Sequence, residues 1–341
     1  MHVVHSPLHA RHDGGVELHR GALVPSYESP ARVDHILRAV QAAGLPIIAP
    51  RDAPLDALHV VHDPAFVEFL RTAYARWQAE GRGGSMLPSG FPARSLRQDV
   101  VPAGINGAMG HYAFDAGTPI VAGTWDAAFA AARCALTAAA LVSEGARASY
   151  ALCRPPGHHA ARSVYGGYCY LNNAAIAAQA LRDAGAARVA VLDVDYHHGN
   201  GTQDIFWTRG DVFFASLHAT PDTEYPYFLG YAEETGAGDG AGCNLNLPMP
   251  RGTTWPAYAE ALEVAIRAIE RHGADALVVS LGVDTFEHDP ISGFALTAAD
   301  FATLGKRIAT MGVPTVLVQE GGYAVAEIGD NVASVLQAFA A

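Results

Sequence analysis

Cysteine is scarce in this chain of 341 residues, and its four copies have no paired spacing. Cys134, Cys153, Cys169 and Cys243 therefore predict neither a disulfide framework nor a zinc site built from thiolates. Free thiols of this kind fit a reducing compartment. We interpret all four as small core residues and expect a cytoplasmic protein.

Basic residues are also few. The chain has 22 Lys and Arg residues against 34 Asp and Glu residues, which gives a formal net charge of −12 without any Lys/Arg cluster. Because phosphate contacts supply most of the affinity for nucleic acid, the sequence argues against such a partner. The acidic balance favours a small cationic ligand instead.

No apolar run is long enough to predict a membrane span. The nearest candidate, from Ala127 to Val142, is short and contains Arg133, whereas a spanning helix needs about 20 apolar residues. The amino terminus has neither the basic start nor the long apolar region of a signal peptide. We therefore expect a soluble protein with no membrane partner.

Apolar runs typical of buried strands alternate with helical stretches over most of the chain. Five runs predict parallel strands, at residues 149–153, 189–192, 211–215, 276–280 and 314–318. Helices are expected from Thr124 to Glu144, Asn172 to Ala184, Thr253 to His272 and Thr297 to Met311, each followed by glycine. This alternation predicts one α/β domain over residues 1–341, with a mostly parallel sheet flanked by helices.

A long irregular segment interrupts this pattern at about residues 81–106. It is rich in Gly and Pro, with Phe91, Leu96, Val100 and Val101 interspersed. Loops of this length in a compact domain are usually functional or disordered. The sequence leaves open a mobile surface excursion, a lid or an oligomer contact.

Polar side chains follow the predicted strands where ligands of α/β sheets bind, beyond the carboxyl ends. Asp195 and His197 are two residues apart, so in an extended segment their side chains point to the same side. Asp284 follows a different strand and completes a set of three ligands that leaves a position for water. Such an open set is typical of a catalytic zinc or iron site.

The adjacent His158 and His159 provide a base for a metal-activated water. One imidazole would transfer protons while the other stabilises charge, with Asp193 and Asn200 as partners that fix the tautomers. Tyr323 follows the flexible pair Gly321-Gly322, so its hydroxyl is a candidate donor to an oxyanion.

Together these motifs resemble the histone deacetylase superfamily, and within it the bacterial acetylpolyamine amidohydrolases. The resemblance rests on Arg154-Pro155-Pro156-Gly157-His158-His159, Gly166-Gly167-Tyr168-Cys169, Asn172-Asn173, residues 193–203, Ser280-Leu281-Gly282-Val283-Asp284 and Glu320-Gly321-Gly322-Tyr323. It extends over essentially the whole chain and implies an arginase/deacetylase-like fold.

The resemblance also implies roles for individual residues. Asp195, His197 and Asp284 would bind one Zn²⁺, with Fe²⁺ as an alternative in the cell. His159 would be the general base and acid, His158 its partner bonded to Asp193, and Tyr323 the oxyanion donor. Two K⁺ sites are implied, the first at Asp193, Asp195, His197, Ser216 and Leu217, and the second at Phe206, Arg209, Val212 and Cys243.

The substrate side is implied in the same way. Gly167, Tyr168 and Tyr225 would line a narrow tunnel with Glu17 at its mouth, and the long loop would build a homodimer that narrows the entrance. Two positions depart from the pattern of the polyamine enzymes. Asn106 stands where they carry a carboxylate, and His19 stands where they carry an aromatic residue near the rim of the tunnel.

The resulting expectation is a metal-dependent amidohydrolase that deacetylates acetylated polyamines such as acetylputrescine or acetylcadaverine. One alternative is a lysine deacetylase acting on peptides or proteins. An arginase-type ureohydrolase needs two manganese ions and a carboxylate where Gly282 stands. A non-catalytic binder of acetylated ligands is a further alternative, which the intact set of ligands, base and tyrosine disfavours.

Overall fold

The computed structural model describes residues 1–341 and contains ten strands and nine α-helices. The strands are β1 (His2–Val4), β2 (Val16–His19), β3 (Ala22–Pro25), β4 (Ile47–Ile48), β5 (Ala148–Ala151), β6 (Val189–Asp193), β7 (Val212–Ala219), β8 (Asn244–Met249), β9 (Ala276–Leu281) and β10 (Thr315–Gln319). The helices are α1 (Ala31–Ala42), α2 (Pro64–Ala79), α3 (Ile105–Tyr112), α4 (Thr124–Ser143), α5 (Asn173–Asp183), α6 (Asn200–Phe206), α7 (Trp255–His272), α8 (Ala298–Ala309) and α9 (Ile328–Ala340).

Eight strands form one parallel sheet in the order β4-β1-β5-β10-β9-β6-β7-β8. Both faces of the sheet are covered, which explains the continuous apolar runs. Val191 of β6 packs in the cluster that contains α4 and α5, whereas its neighbour Leu192 packs in the cluster that contains α1, α7, α8 and α9. The predicted α/β domain with a parallel sheet between helices is confirmed.

The five predicted strands are all present, but one is longer than expected. β7 continues through Ser216, Leu217 and His218 to Ala219, so these residues lie inside the strand and not beyond its end. The reason is β8, which was not predicted and pairs with β7 as far as Ala219 and Met249. The short strands β1 and β4 were also missed.

The predicted helices are present with small differences at their starts. Asn172 caps α5 by accepting a hydrogen bond from the N–H of Ala175, and Thr297 forms a capping box with Asp300 at α8. α7 begins at Trp255, two residues after the predicted Thr253. Gly123 caps α4, while the Thr124 hydroxyl accepts from the N–H of Val121.

Helix α4 is long and apolar enough to suit a membrane by length and composition. However, 61% of its most apolar window is buried inside the molecule, where the helix packs on β5 and α5. It is therefore a core helix of the α/β domain.

The long segment between α2 and α3 has no regular helix or strand. Leu96, Val100 and Val101 are exposed on it, and an isolated bridge pairs Met86 with Ile120. α3 begins at Ile105, so Asn106 belongs to the first turn of that helix.

Candidate active site

Three side chains with metal-binding atoms converge beyond two neighbouring strands. β6 and β9 pair so that Asp193 lies opposite Ser280, which brings the following residues of both strands together. The Nδ1 atom of His197 lies 3.0 Å from Oδ2 of Asp284 and 3.4 Å from Oδ1 of Asp195. One ligand atom from each of the three residues lies within 4.8 Å of the others, as a shared cation requires.

The electrostatics of this cluster fit a cation. Asp195 and Asp284 are fully buried, and burial together with the charge of Asp195 raises the pKa of Asp284 to about 7. Two buried carboxylates at this separation repel each other, and a divalent ion between them relieves that repulsion. The donors, two carboxylates and one imidazole, are those of catalytic zinc and iron sites.

Backbone groups fix the orientation of both carboxylates. Gly321 donates its N–H to Oδ2 of Asp195 at 2.8 Å, and Tyr196 donates its N–H to Oδ1 of Asp284 at 2.8 Å. A Cβ at Gly282 would lie only 2.0 Å from Oδ2 of Asp195. The second carboxylate that a two-manganese ureohydrolase needs has no room there.

The histidine pair is polarised by different partners. The two ring centroids lie 4.1 Å apart. His158 Nδ1 lies 3.0 Å from Oδ2 of Asp193, whereas His159 Nδ1 lies 2.6 Å from the amide oxygen of Asn200. His158 therefore faces a carboxylate and His159 a neutral amide, as the sequence pattern predicts for tautomer partners.

These partners drive the two pKa values apart. Burial opposes a charge on His158, but the carboxylates of Asp195 and Asp193 outweigh it and raise the pKa to about 10. Burial, with the positive charge of His158 close by, lowers the pKa of His159 well below its ordinary value. At neutral pH His158 is thus an imidazolium, and His159 is a neutral imidazole that can accept a proton.

Tyr323 is held on the segment that follows β10. Its N–H donates to Oδ2 of Asp289 at 2.6 Å, and the guanidinium of Arg32 lies 4.7 Å from its ring centroid. Arg32 also donates to the carbonyl oxygens of Glu320 and Gly322, both at 2.6 Å. Burial raises the pKa of the Tyr323 hydroxyl well above its ordinary value, so the group stays protonated as a donor.

A cavity of about 320 Å³ leads to this cluster. Its lining includes eight residues that the sequence pattern or the resemblance singles out, namely Glu17, His19, His159, Gly167, Tyr168, His197, Tyr225 and Tyr323. Sequence reasoning missed Asp115 and Glu224, which also line the cavity, because they lie in loops and belong to no motif. It likewise missed Arg32 and Asp289 behind Tyr323.

Glu17 is a buried member of the cavity wall. It is only 2% exposed, and it accepts hydrogen bonds from the Tyr168 hydroxyl at 2.7 Å and the Ser26 hydroxyl at 3.0 Å. Burial raises its pKa, and these bonds partly offset that effect. The carboxylate is thus fixed by the β2–β3 hairpin and its neighbours.

Asn106 lies apart from this cavity. Its amide oxygen accepts from Nη1 of Arg82 at 2.6 Å, and the residue lines a second cavity of about 400 Å³ formed with the long loop. Within one chain, therefore, Asn106 does not line the same cavity as His159.

The residues implied as potassium ligands occupy two places along β7. Ser216 pairs with Asp193 across the sheet and its hydroxyl lies 2.8 Å from Nδ1 of His218, with Leu217 next in the strand. The other set lies at the opposite end, where Phe206 ends α6 and Val212 begins β7. There the guanidinium of Arg209 pairs with Asp211, and Cys243 immediately precedes β8.

The fold and this site define a class: a hydrolase built on a parallel sheet between helices, with a candidate metal site at the strand ends. The sequence model of the histone deacetylase domain family matches residues 26–339, and the chain belongs to the histone deacetylase family. It is a hydrolytic deacetylase, and its family implies a metal ion, for which the three convergent ligands provide a site.

Individual relatives are similar over nearly the whole chain. Acetylpolyamine amidohydrolase 2 of Pseudomonas aeruginosa is 52% identical over 340 residues, which cover 99% of this chain and 98% of that protein. Acetylpolyamine amidohydrolase of Mycoplana ramosa is 50% identical over 341 residues, covering 100% of each chain. The crystal structure of acetylpolyamine aminohydrolase from Burkholderia pseudomallei superposes with a TM-score of 0.96 at 41% identity, covering 100% of this chain and 99% of that one.

Proposed function

We propose that this protein is a zinc-dependent amidohydrolase that removes the acetyl group from small acetylated polyamines. The observation that carries this proposal is the pair of carboxylates in the cavity lining, Glu17 and Glu224, near the metal ligands. A slender cationic substrate is attracted by such a lining. The names of the similar proteins support the same substrate class.

The metal ligands are Asp195, His197 and Asp284. A zinc ion held by them would supply a Lewis acid for the acetyl carbonyl and a water of lowered pKa. The ligand set leaves a coordination position open, as in catalytic Zn²⁺ or Fe²⁺ sites and unlike closed structural sites. Asp193, Ser216 and Leu217, together with Asp195 and His197, form the proposed first K⁺ site beside it. Phe206, Arg209, Val212 and Cys243 form the proposed second K⁺ site.

The side chains divide the proton and charge transfers. His159, neutral at neutral pH, takes a proton from the attacking water and returns it to the departing amine nitrogen as the C–N bond breaks. The hydroxyl of Tyr323 donates to the carbonyl oxygen as negative charge develops there. The imidazolium of His158, paired with Asp193, stabilises the same charge, and the products are acetate and a free primary amine.

The remaining proposals concern the setting of this site. Gly167, Tyr168 and Tyr225 would contact the substrate arm, with Glu17 beside them. Exposed apolar residues on the long loop support a homodimer, in which Asn106 of one chain would approach the entrance of the other. The four free cysteines, of which Cys243 is only partly buried, support a cytoplasmic location.

The rates of acetate release from different substrates distinguish this proposal from lysine deacetylation. The experiment measures kcat/KM for acetylputrescine, acetylcadaverine and an acetyl-lysine flanked by residues on both sides. We expect the acetylated polyamines to react with the higher kcat/KM. If the flanked acetyl-lysine reacts faster than every acetylpolyamine tested, the protein is a lysine deacetylase.

A further inference from the structure

Asp115 joins two parts of the cavity wall that are distant in sequence. Its Oδ2 atom accepts a hydrogen bond from the Tyr225 hydroxyl at 2.7 Å and another from the N–H of Gly167 at 2.6 Å. Its Oδ1 atom accepts from the N–H of Gly117 at 3.1 Å. The carboxylate is therefore fixed by its own loop and links both walls through one oxygen.

Both linked groups pack on the ring of His159. The Tyr225 ring meets it edge to face, with the centroids 5.1 Å apart and the planes at 88°. A Cβ at Gly167 would lie 2.3 Å from Cδ2 of His159, so the backbone there has no room for a side chain. A shift of either wall would change the space beside the proposed base.

The loop that contains Asp115 also stabilises an unusual backbone conformation at Gly167 and Tyr168. Gly167 and Tyr168 have φ angles of 56° and 65°, in the left-handed region that a residue with a side chain seldom adopts. Asp115 accepts from the N–H of Gly167, and Oγ1 of Thr118 accepts from the N–H of Tyr168 at 3.0 Å. These two bonds stabilise the turn that carries the Tyr168 side chain into the cavity.

We propose that Asp115 is a positioning residue that sets the selectivity of this deacetylase for thin, unbranched acetylated amines. It does so by holding Tyr225 and Gly167 at a fixed separation beside His159. The inference rests on the proposed function and adds to it the residue that determines the width of the cavity.

The competing role for Asp115 is attraction of the substrate ammonium group by its negative charge. Asp115→Asn separates the two roles: its amide oxygen can take the place of Oδ2 and accept from both Tyr225 and Gly167, while the charge and the weaker bond from the N–H of Gly117 are lost. Asp115→Ala removes both the charge and the bonds. Asp222→Ala is the matched control, since it removes an exposed carboxylate from the loop that carries Tyr225.

The experiment measures kcat and KM with acetylputrescine, neutral N-butylacetamide and N-sec-butylacetamide, which is branched beside the nitrogen. In Asp115→Ala we expect kcat/KM for both linear substrates to fall by roughly 10- to 100-fold, mainly through kcat, because the reacting groups are misplaced. The preference for linear over branched substrate should fall by about tenfold. Asp115→Asn should lose much less kcat/KM than Asp115→Ala on both linear substrates, and Asp222→Ala should stay within about threefold of the wild type.

A double-mutant cycle tests the link to Tyr225. Tyr225→Phe should lower the linear-to-branched preference in the same direction, and Asp115→Ala combined with Tyr225→Phe should be no worse than Asp115→Ala alone. Multiplicative losses would overturn the inference. So would an Asp115→Asn variant as impaired as Asp115→Ala on acetylputrescine and normal on N-butylacetamide, which would assign the charge role.

Two checks keep the result interpretable. Metal content and thermal unfolding are measured for every variant. If Asp115→Ala does not fold, the question is decided by the linear-to-branched preference of Tyr225→Phe and by the kcat/KM of Asp115→Asn on acetylputrescine and N-butylacetamide. A wild type that hydrolyses N-butylacetamide but not acetylputrescine would refute the proposed substrate class, and the cycle would still be measured on the neutral amide.

Discussion

The Nδ1 atom of His159 lies 2.6 Å from the amide oxygen of Asn200. Because this acceptor is neutral, it supports the proton on Nδ1 without stabilising an imidazolium as a carboxylate would. Nε2 is consequently left without a proton and free to act as a base. The neighbouring His158, which faces Asp193, has the opposite environment.

Asn200→Asp should move the acid limb of the pH profile upward. A carboxylate beside His159 would raise its lowered pKa by about 1–3 units. Since a base works only when unprotonated, kcat/KM would then fall at a higher pH than in the wild type. The profile of kcat/KM between pH 5 and 9 checks this, and an acid limb that does not move would mean that another group controls it.

His159→Ala and Tyr323→Phe should each lower kcat by about 10²-fold or more while the metal and the fold are retained. Both groups act on charge or protons in the transition state, so KM should change much less than kcat. Tyr74→Phe, in α2 and away from the cavity, is the control for loss of a hydroxyl. Near-normal turnover in His159→Ala would refute its assignment as the base.

Metal analysis should find about one divalent ion per chain, and a chelator should abolish turnover. Asp284→Asn should lower the metal content, because it removes one of three protein ligands and leaves Asp195 and His197 with weaker binding. Zinc added back to the chelated wild type should restore acetate release. Two tightly bound manganese ions per chain would support a ureohydrolase instead.

Glu17→Gln should weaken the reaction of cationic substrates selectively. Glutamine can still accept the bond from the Tyr168 hydroxyl, although it loses the longer bond from the N–H of Tyr27, so the change removes the charge and keeps the main contact to the wall. We expect kcat/KM for acetylputrescine to fall by about tenfold, with little change for N-butylacetamide. Equal losses on both substrates would show that Glu17 acts through structure and not through charge.

Replacing residues 83–102 with a short linker should convert a dimer into a monomer. Leu96, Val100 and Val101 are 58%, 48% and 45% exposed in the single chain, and association would bury them. Light scattering of the wild type and the shortened chain measures the change. A wild type that is monomeric at micromolar concentration would contradict this expectation.

The sequence predicts the central part of this structure well, because local patterns determine it. The strands that end near His158, Asp195, Asp284 and Tyr323 are continuous apolar runs, and their parallel pairing places those residues at one edge. The short strands β1 and β4 carry too few residues to give such a pattern. β7 was predicted too short because its end depends on pairing with β8, a contact that no local signal reports.

The surroundings of the site could not be predicted for a related reason. Asp115 and Asp289 act through bonds to residues 110 and 34 positions away, respectively. Loop carboxylates of this kind are common on protein surfaces, so neither residue stands out in the sequence. Glu17 was predicted at the tunnel mouth, but its burial against Tyr168 and Ser26 depends on the hairpin that folds over it.

The position of β10 in the sheet has a consequence for the nascent chain. β10 is the last strand to leave the ribosome, yet it lies in the middle of the sheet between β5 and β9. Until it emerges, β4-β1-β5 and β9-β6-β7-β8 are two ribbons whose open edges face each other without a partner. The edge of β5 is exposed to wrong pairing from the synthesis of β5 until that of β10, and the edge of β9 only for the short interval between β9 and β10. A chain that terminates before β10 would therefore lose the strand that joins its two halves, as well as Tyr323.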